Sequence, residues 1–450
     1  MNLKAKTLQP LLLAAVWIST PAFAVDLVGV YELAVKNDPQ LKAAEYRRDA
    51  TDENKRQAWA NLLPSLSGSA SLTKGTNDVY IHGSNLSDSD IDTQRWSVDL
   101  RQSLYAQKNY EQLRIAKSQA SQAEATYNIA YEDFLIRVAD GYFGVLTAQD
   151  GVIFAEAEEK ALKRQYEQAE QRFEVGLTAV TDVHEARAGY DNARARAIVA
   201  RNNLADAKEV IFELTNQYFD EIKPLQEKLP LVKPLPENPD EWVKIAMQNN
   251  PSVIAALKGV DIAHATVKLE RSGHYPTLDL VAGYSKFTNN KFLIRNDFQE
   301  PIGTVPLTTK DQQWGLQLSV PLYQGGVISS RTRQARYTLD AVNEDLDREQ
   351  RAVVRQTNNA YRAVIAGIEQ VGAFGQALVS AKSALEATQA GFEVGTRTIV
   401  DVLIAQQRFF QAQRDNSQAR HTYILNHLRL KAAAGVLEES DLHKINDILK

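Results

Sequence analysis

FEVGLTAVTDV at 173–183 returns as FEVGTRTIVDV at 392–402, with 6 of 11 positions identical and an offset of 219 residues. Working outward, further pairs fall in the same order. NDPQL at 37–41 answers NNPSV at 249–253, and LLPSLSGSASL at 62–72 answers HYPTLDLVAGY at 274–284, both at an offset of 212. WSVDLRQSLY at 96–105 answers WGLQLSVPLY at 314–323 at an offset of 218. A period this long marks a duplicated structural unit, not a solenoid of short repeats. The first repeat is assigned to 25–222 and the second to 241–434. Between them KPLQEKLPLVKPLPENP holds five prolines and reads as a connector at 223–240. Residues 435–450 are left as a C-terminal tail.

Residues 1–24 have the form of a secretory signal peptide. Lys4 and Lys6 precede an apolar core at 11–18 and an A-x-A site at 22–24. Its removal would make the net charge of −5 two units more negative. Such an acidic chain does not read as a nucleic-acid binder. The absence of cysteine excludes disulfides, thiolate metal sites and a cysteine nucleophile. No later segment has 18 consecutive apolar residues, so no transmembrane helix is expected. An exported chain of this kind is periplasmic, secreted or an outer-membrane β-structure.

No proline occurs between Pro64 and Pro224 or after Pro321. These tracts, rich in Ala, Gln, Glu, Arg and Leu, read as long helices. One is expected over 107–172, roughly 66 residues or about 100 Å at 1.5 Å per residue. Tyr127, Tyr131, Phe134, Val138, Tyr142, Val145, Gln149 and Val152 mark a near-heptad seam on it. Shorter helices are expected over 27–62 and 180–214. Stacked end to end, they match the long helix and would line it. The second repeat offers 237–271 and 399–433 against 329–392.

Each first helix is followed by two stretches of period two, the pattern of a strand with one apolar face. The apolar positions are Leu66, Gly68, Ala70, Leu72; Trp96, Val98, Leu100, Leu104; Leu278, Leu280, Ala282, Tyr284; and Trp314, Leu316, Leu318, Val320, Leu322. The polar stretches 74–95 and 286–313 between them read as tips. Four strands cannot close a barrel, which needs about eight. Free edges on an apolar sheet are an aggregation hazard. Closure must therefore come from other chains, and the pattern leaves a dimer, a trimer or a larger ring open. Trp96 and Trp314 are candidate membrane-interface aromatics. The plainer alternative is a periplasmic sandwich.

With the duplication, LLPSL, PTLDL, PLYQGG at 321–326 and VGTRTIVDVL at 394–403, the mature chain resembles the TolC-type outer-membrane efflux ducts over essentially its whole length. The resemblance implies a mainly α fold with a β-barrel portion. A homotrimer would build a coiled-coil α-helical barrel continuous with a 12-stranded outer-membrane β-barrel, four strands per chain. It further implies outer-membrane lipid around the barrel, a periplasmic adaptor, and an inner-membrane RND or ABC transporter as the energy source. No cofactor is expected. The rival function is a structural coiled-coil envelope protein or adhesin.

The turns Val175-Gly176 and Val394-Gly395 would lie at the periplasmic tip, where the adaptor docks. Thr398 to Asp401 has capping-box spacing, with Asp in place of Glu. The plainer reading of Asp401 is therefore a helix cap. On a three-fold axis the same residue would also form a carboxylate ring, and the resemblance matches it to the family's constriction. Arg397 matches a latch arginine with Thr181 and Asp182 as partners. One exposed ion pair contributes about 0–1 kcal/mol, so three make a latch of a few kcal/mol at most. Two positions depart from the family pattern. Ile404 stands where a second Asp ring is usual, and Phe392 where a Tyr is usual. The seven histidines show no metal spacing, and no Walker loop, GxGxxG or GxSxG motif is present, so no enzyme is expected.

Overall fold

The computed structural model describes residues 24–449 except 82–83, 227 and 296–300, so the signal segment lies outside the described residues apart from Ala24. The first repeat forms α1 (Leu27–Asn37), α2 (Pro39–Ala60), β1 (Ser65–Ile81), β2 (Ser84–Ala106), α3 (Gln107–Glu174) and α4 (Val180–Thr215). The second forms α5 (Pro239–Asn249), α6 (Pro251–Arg271), β3 (Thr277–Arg295), β4 (Pro301–Ser319), α7 (Val327–Glu393) and α8 (Ile399–Ala433). The C-terminal tail carries α9 (Glu439–Asn446), with Leu442 fully buried.

The long helices α3 and α7 run 68 and 67 residues. Both α2 and α4 lie along α3, and both α6 and α8 along α7, as the length matching requires. The seam on α3 is buried in its centre at Phe134, Val138, Tyr142 and Val145. One 18-residue window of α7 is apolar enough to cross a membrane and is little buried in the single chain. The helix containing it is more than three times the length a bilayer needs, about 20 residues.

The single first helices expected at 27–62 and 237–271 are each broken in two. The residue before proline is kept out of the helical region, and proline itself is well suited to a first helical position. Asp38 and Asn250 therefore stand between helices, and their side chains accept from the backbone N–H of Gln40 and Ser252. The break also joins the stacked helices. Asn37 Nδ2 donates to the Thr215 carbonyl at 2.9 Å, and Asn250 Nδ2 to the Ala433 carbonyl at 3.0 Å. The helices that end there, α4 and α8, stop on the left-handed residues Asn216 and Gly435.

The polar stretches read as tips are mostly strand. β1 and β2 pair as far as Ile81 and Ser84, and β3 and β4 as far as Arg295 and Pro301. Backbone pairing continues after the apolar alternation stops, because a ladder needs no apolar face once both faces meet water. At the other end β4 stops at Ser319, so Val320 and Leu322 lie beyond it.

α3 is also the spine between repeats, touching α6 and α8 as well as α2 and α4. Along its contact with α8 runs a series of polar links. Arg429 donates to Asp140 at 2.9 Å, Ser417 donates to Asp150, and Arg414 donates to Glu158 at 3.2 Å. Glu158 is 0 % exposed and also accepts from Arg196 of α4 at 2.7 Å. Losing one partner of such a buried cluster typically costs about 3–5 kcal/mol. Between these links Thr147 Oγ1 lies 2.8 Å from His421 Nδ1. The threonine hydroxyl donates to the Phe143 carbonyl, so Nδ1 carries the imidazole proton and donates to Thr147.

Burial pushes the His421 imidazole down to about 4, with Asp150 pulling it back up and Arg420 pushing it further down. The neutral form is thus the folded form. Its contribution is complete above the unfolded value near 6.5 and is lost as pH falls from there toward about 4. Lowering the pH from 7 to 4.5 should lower the Tm of the purified protein. His421→Gln should remove up to about 3 kcal/mol per copy of that pH dependence, read as a flatter Tm-against-pH curve. Gly435 has φ of 68°, and a Cβ there would lie 2.5 Å from Asn250 Cα. Gly435→Ala should therefore destabilise by on the order of 3 kcal/mol, measured by denaturant unfolding.

Candidate functional site

The four strands form one antiparallel sheet in the order β1-β2-β3-β4, leaving the outer edges of β1 and β4 unpaired among the described residues. Register puts like with like. Leu66 faces Leu100, Leu100 faces Ala282, and Ala282 faces Trp314, giving a continuous apolar row. Within one chain this face is largely bare. Leu72 is 78 % and Trp314 86 % exposed, because no protein layer covers it. The opposite face is polar. Ser97 donates to Asp99 at 2.7 Å, and Arg101 pairs with Asp279 at 2.6 Å across β2 and β3. Trp96 and Trp314 share the apolar face but occupy different rows. Trp96 stands opposite Ala70 and Lys286, with its ring 5.1 Å from that of Tyr284.

At the far end of the long helices lie the two repeated turns. α3 ends with Gly176 at φ 75° and α7 with Gly395 at φ 79°. Leu177 N donates to Arg172 O, and Thr396 N to Gly391 O, each at 2.8 Å. This closure needs a left-handed residue, which glycine supplies without a Cβ penalty. Val175 and Val394 then project as exposed apolar knobs.

Past the turns the two repeats differ. α8 begins with a complete capping box: Thr398 Oγ1 accepts from Asp401 N, and the Asp401 carboxylate accepts from Thr398 N at 3.0 Å. These bonds, first the backbone N–H and then the hydroxyl of Thr398, hold the Asp401 carboxyl below its usual range, with a smaller contribution from Arg397. α4 begins after the N-cap Ala179, which has no side-chain cap, and Thr178 donates to Asp182 instead. Asp401 is therefore the cap that its spacing predicts. Ile404, one turn on, is exposed.

The single chain does not join Arg397 to Thr181 or Asp182. Arg397 forms no ion pair among the described residues, and its side chain lies over the end of α7. A Cβ built on Gly391 would fall 2.8 Å from Arg397 Cγ. What crosses between the two tips is a contact not read from the sequence: the Arg172 guanidinium carbon sits 5.0 Å from the centroid of the Phe392 ring. Gln165, Gln168, Thr178, Asp182 and Ile399 line the same small gap. The signal that could have found it is a mismatch in the repeat, since Arg172 aligns with Gly391. Glu158 was missed too, because charged residues on a long helix usually face water.

Among the described residues no cluster of three or more His, Asp or Glu side chains could hold a metal ion. The sequence profile described as outer membrane efflux protein matches residues 30–217 and 242–436, one stretch per repeat. The outer membrane protein TolC of Vibrio cholerae is 37 % identical over 447 residues, covering 99 % of each chain. The alkaline protease secretion protein AprF of Pseudomonas aeruginosa is 29 % identical, covering 94 % of this chain and 87 % of its own. Among solved structures, the CmeC outer membrane channel of Campylobacter jejuni superposes with a TM-score of 0.74 at 18 % identity. That match covers 94 % of this chain and 90 % of CmeC.

Proposed function

Because this chain belongs to the outer membrane efflux protein family, we propose that three copies form one exit duct through the outer membrane and periplasm, serving efflux or protein secretion. The observation that carries this reading is the sheet. Among the described residues it has one apolar face with no protein cover, one polar face and two unpaired edges. Three such sheets joined edge to edge make a 12-stranded barrel, with lipid against the row from Leu66 to Trp314 and water inside. Trp96 and Trp314 meet the membrane interface. The bare side of α7 meets a neighbouring copy, so its apolar window is tunnel wall. The repeats 25–222 and 241–434 each contribute two strands and one helical coil, and 223–240 links them.

The duct is passive, and the family is a channel family. Its energy comes from an inner-membrane RND or ABC transporter through a periplasmic adaptor. The exposed turns Val175-Gly176 and Val394-Gly395 suit adaptor docking. The gate is a ring of three Asp401 carboxylates. Arg397 of one copy latches to Thr181 and Asp182 of the next, which fits its forming no ion pair among the described residues. With Ile404 in place of a second acid, the ring is single.

Purified protein should run as a heat-resistant trimer and conduct ions in planar bilayers. Monomeric protein without conductance would overturn the duct. Arg397→Ala and Asp182→Ala should each raise the closed-state conductance, and an unchanged closed state in both would remove the latch. Asp401→Asn should reduce cation selectivity several-fold, measured as a reversal potential in a salt gradient. An unmoved potential would remove the ring.

A further inference from the structure

The hydrogen bonds and ion pairs between the first coil (α3 with α4) and α8 among the described residues run from Asp140 to Glu158. From Glu158 to the end of α3 is roughly another 24 Å at 1.5 Å per residue. Over that distance the Leu403 side chain lies 3.6 Å from the position of a Cβ on Gly189, and Gln165, Gln168 and Ala169 line the gap nearer the tip. At the tip itself, where the coils would separate for the duct to open, the charged contact between them among the described residues is Arg172 on Phe392. Both residues are half-buried. Arg172 stands in the last turn of α3 and Phe392 in the last turn of α7, so the contact ties one long helix end to the other.

The repeat makes this contact one-sided. Phe392 aligns with Phe173, which is exposed, and the residue aligned with Arg172 is Gly391. No second cation can therefore sit over Phe173 from that position. The glycine serves another purpose, since its carbonyl accepts from both Thr396 and Arg397 and its missing Cβ leaves room for the Arg397 side chain. Asp182 lines the same gap but is engaged by Thr178, and it forms no ion pair with Arg172 among the described residues. A guanidinium over a phenyl face is attracted by the ring quadrupole and needs no hydroxyl on the ring.

We propose that Arg172 is a positioning residue of the gate: its cation–π contact with Phe392 clamps the second coil's tip to the first and so keeps the Asp401 ring narrow. The proposal rests on the duct reading. Arg172 touches neither cargo nor the ring; it acts through α7 and the turn that leads to Asp401. Each trimer holds three such clamps, one inside each copy, in parallel with the Arg397 latch between copies.

The test uses the full-length trimer in planar bilayers, with heat-resistant trimer formation checked for every variant. Arg172→Gln and Phe392→Leu should each raise the closed-state conductance on the order of tenfold, and the double variant should rise no further than either single one. Arg172→Lys should restore part of the closure. The decisive series replaces Phe392 with mono-, di- and trifluorinated phenylalanine, which keep the ring's shape while weakening its negative face. Conductance should climb stepwise with fluorination. Indifference to fluorination would overturn the clamp, whatever Phe392→Leu does, because the ring would then act by packing alone. An Arg172→Gln effect that vanishes in an Asp182→Asn background would also overturn it, in favour of an ion pair. Wild-type protein that neither trimerises nor conducts would remove the duct reading itself. Wild-type protein that conducts, with silent Arg172 and Phe392 variants, would remove only the clamp.

Discussion

A four-stranded sheet with one apolar face and two open edges cannot be satisfied by one chain in water. Each unpaired edge presents a row of backbone donors and acceptors, and the outer face presents Leu, Ala and Trp side chains with nothing over them. In lipid the demand is stricter, because backbone groups there find no water and must pair within a closed barrel. The rest of the molecule follows from meeting that demand. The strands must be delivered in the right order and number by each copy, and the helices beneath must repeat with the same symmetry. The duplicated hairpin-plus-coil unit does both.

The helical part has its own constraint. A helix of 68 residues has to be supported along its whole length, and α3 gains that support from α2 and α4 end to end on one side and from α6 and α8 on another. The junction where the short helices meet is fixed by backbone chemistry. A proline breaks each short helix, the residue before it caps the next one, and a neighbouring amide holds the last carbonyl of α4 or α8. Below that level the polar links to α8 among the described residues run from Asp140 to the buried Glu158. The upper tunnel wall is cross-linked by charge, and the lower wall depends on side-chain packing and on its tip.

The tip shows what duplication permits. Both copies keep the glycine turn, because a left-handed residue is needed to close a long helix there. Around that fixed turn the side chains have diverged. The first copy carries Arg172 and Asp182; the second carries Gly391, Phe392, Arg397 and the complete capping box of Thr398 and Asp401. The depressed carboxyl of Asp401 keeps it charged as a cap, and a charged cap is also what an ion-selecting ring requires.

Much of this was legible in the chain. The repeat, the period-two strands, the long proline-free helices and the glycine turns are local signals, each set by a backbone preference or by the side-chain period of its element, and the structure agrees with them. Asp401 as a cap was legible for the same reason, since its partner is three residues away. The errors came where a signal is silent or has two meanings. Polar strands beyond the apolar band lose their alternation, so 74–95 and 286–313 read as tips. The period-two strands left barrel and sandwich both open, because alternation reveals that a face is apolar but not whether lipid or protein covers it. The tail at 435–450 carried no strong periodic signal, and its helix α9 places Leu442 in the core. The sequence by itself therefore determined the elements, their order and their doubling, through interactions spanning a few residues. Only the tertiary structure decided which distant side chains meet: Glu158 with Arg196 and Arg414, Thr147 with His421, and Arg172 with Phe392. Those contacts depend on the rotation and register of helices 35 to 68 residues long, which no local preference specifies.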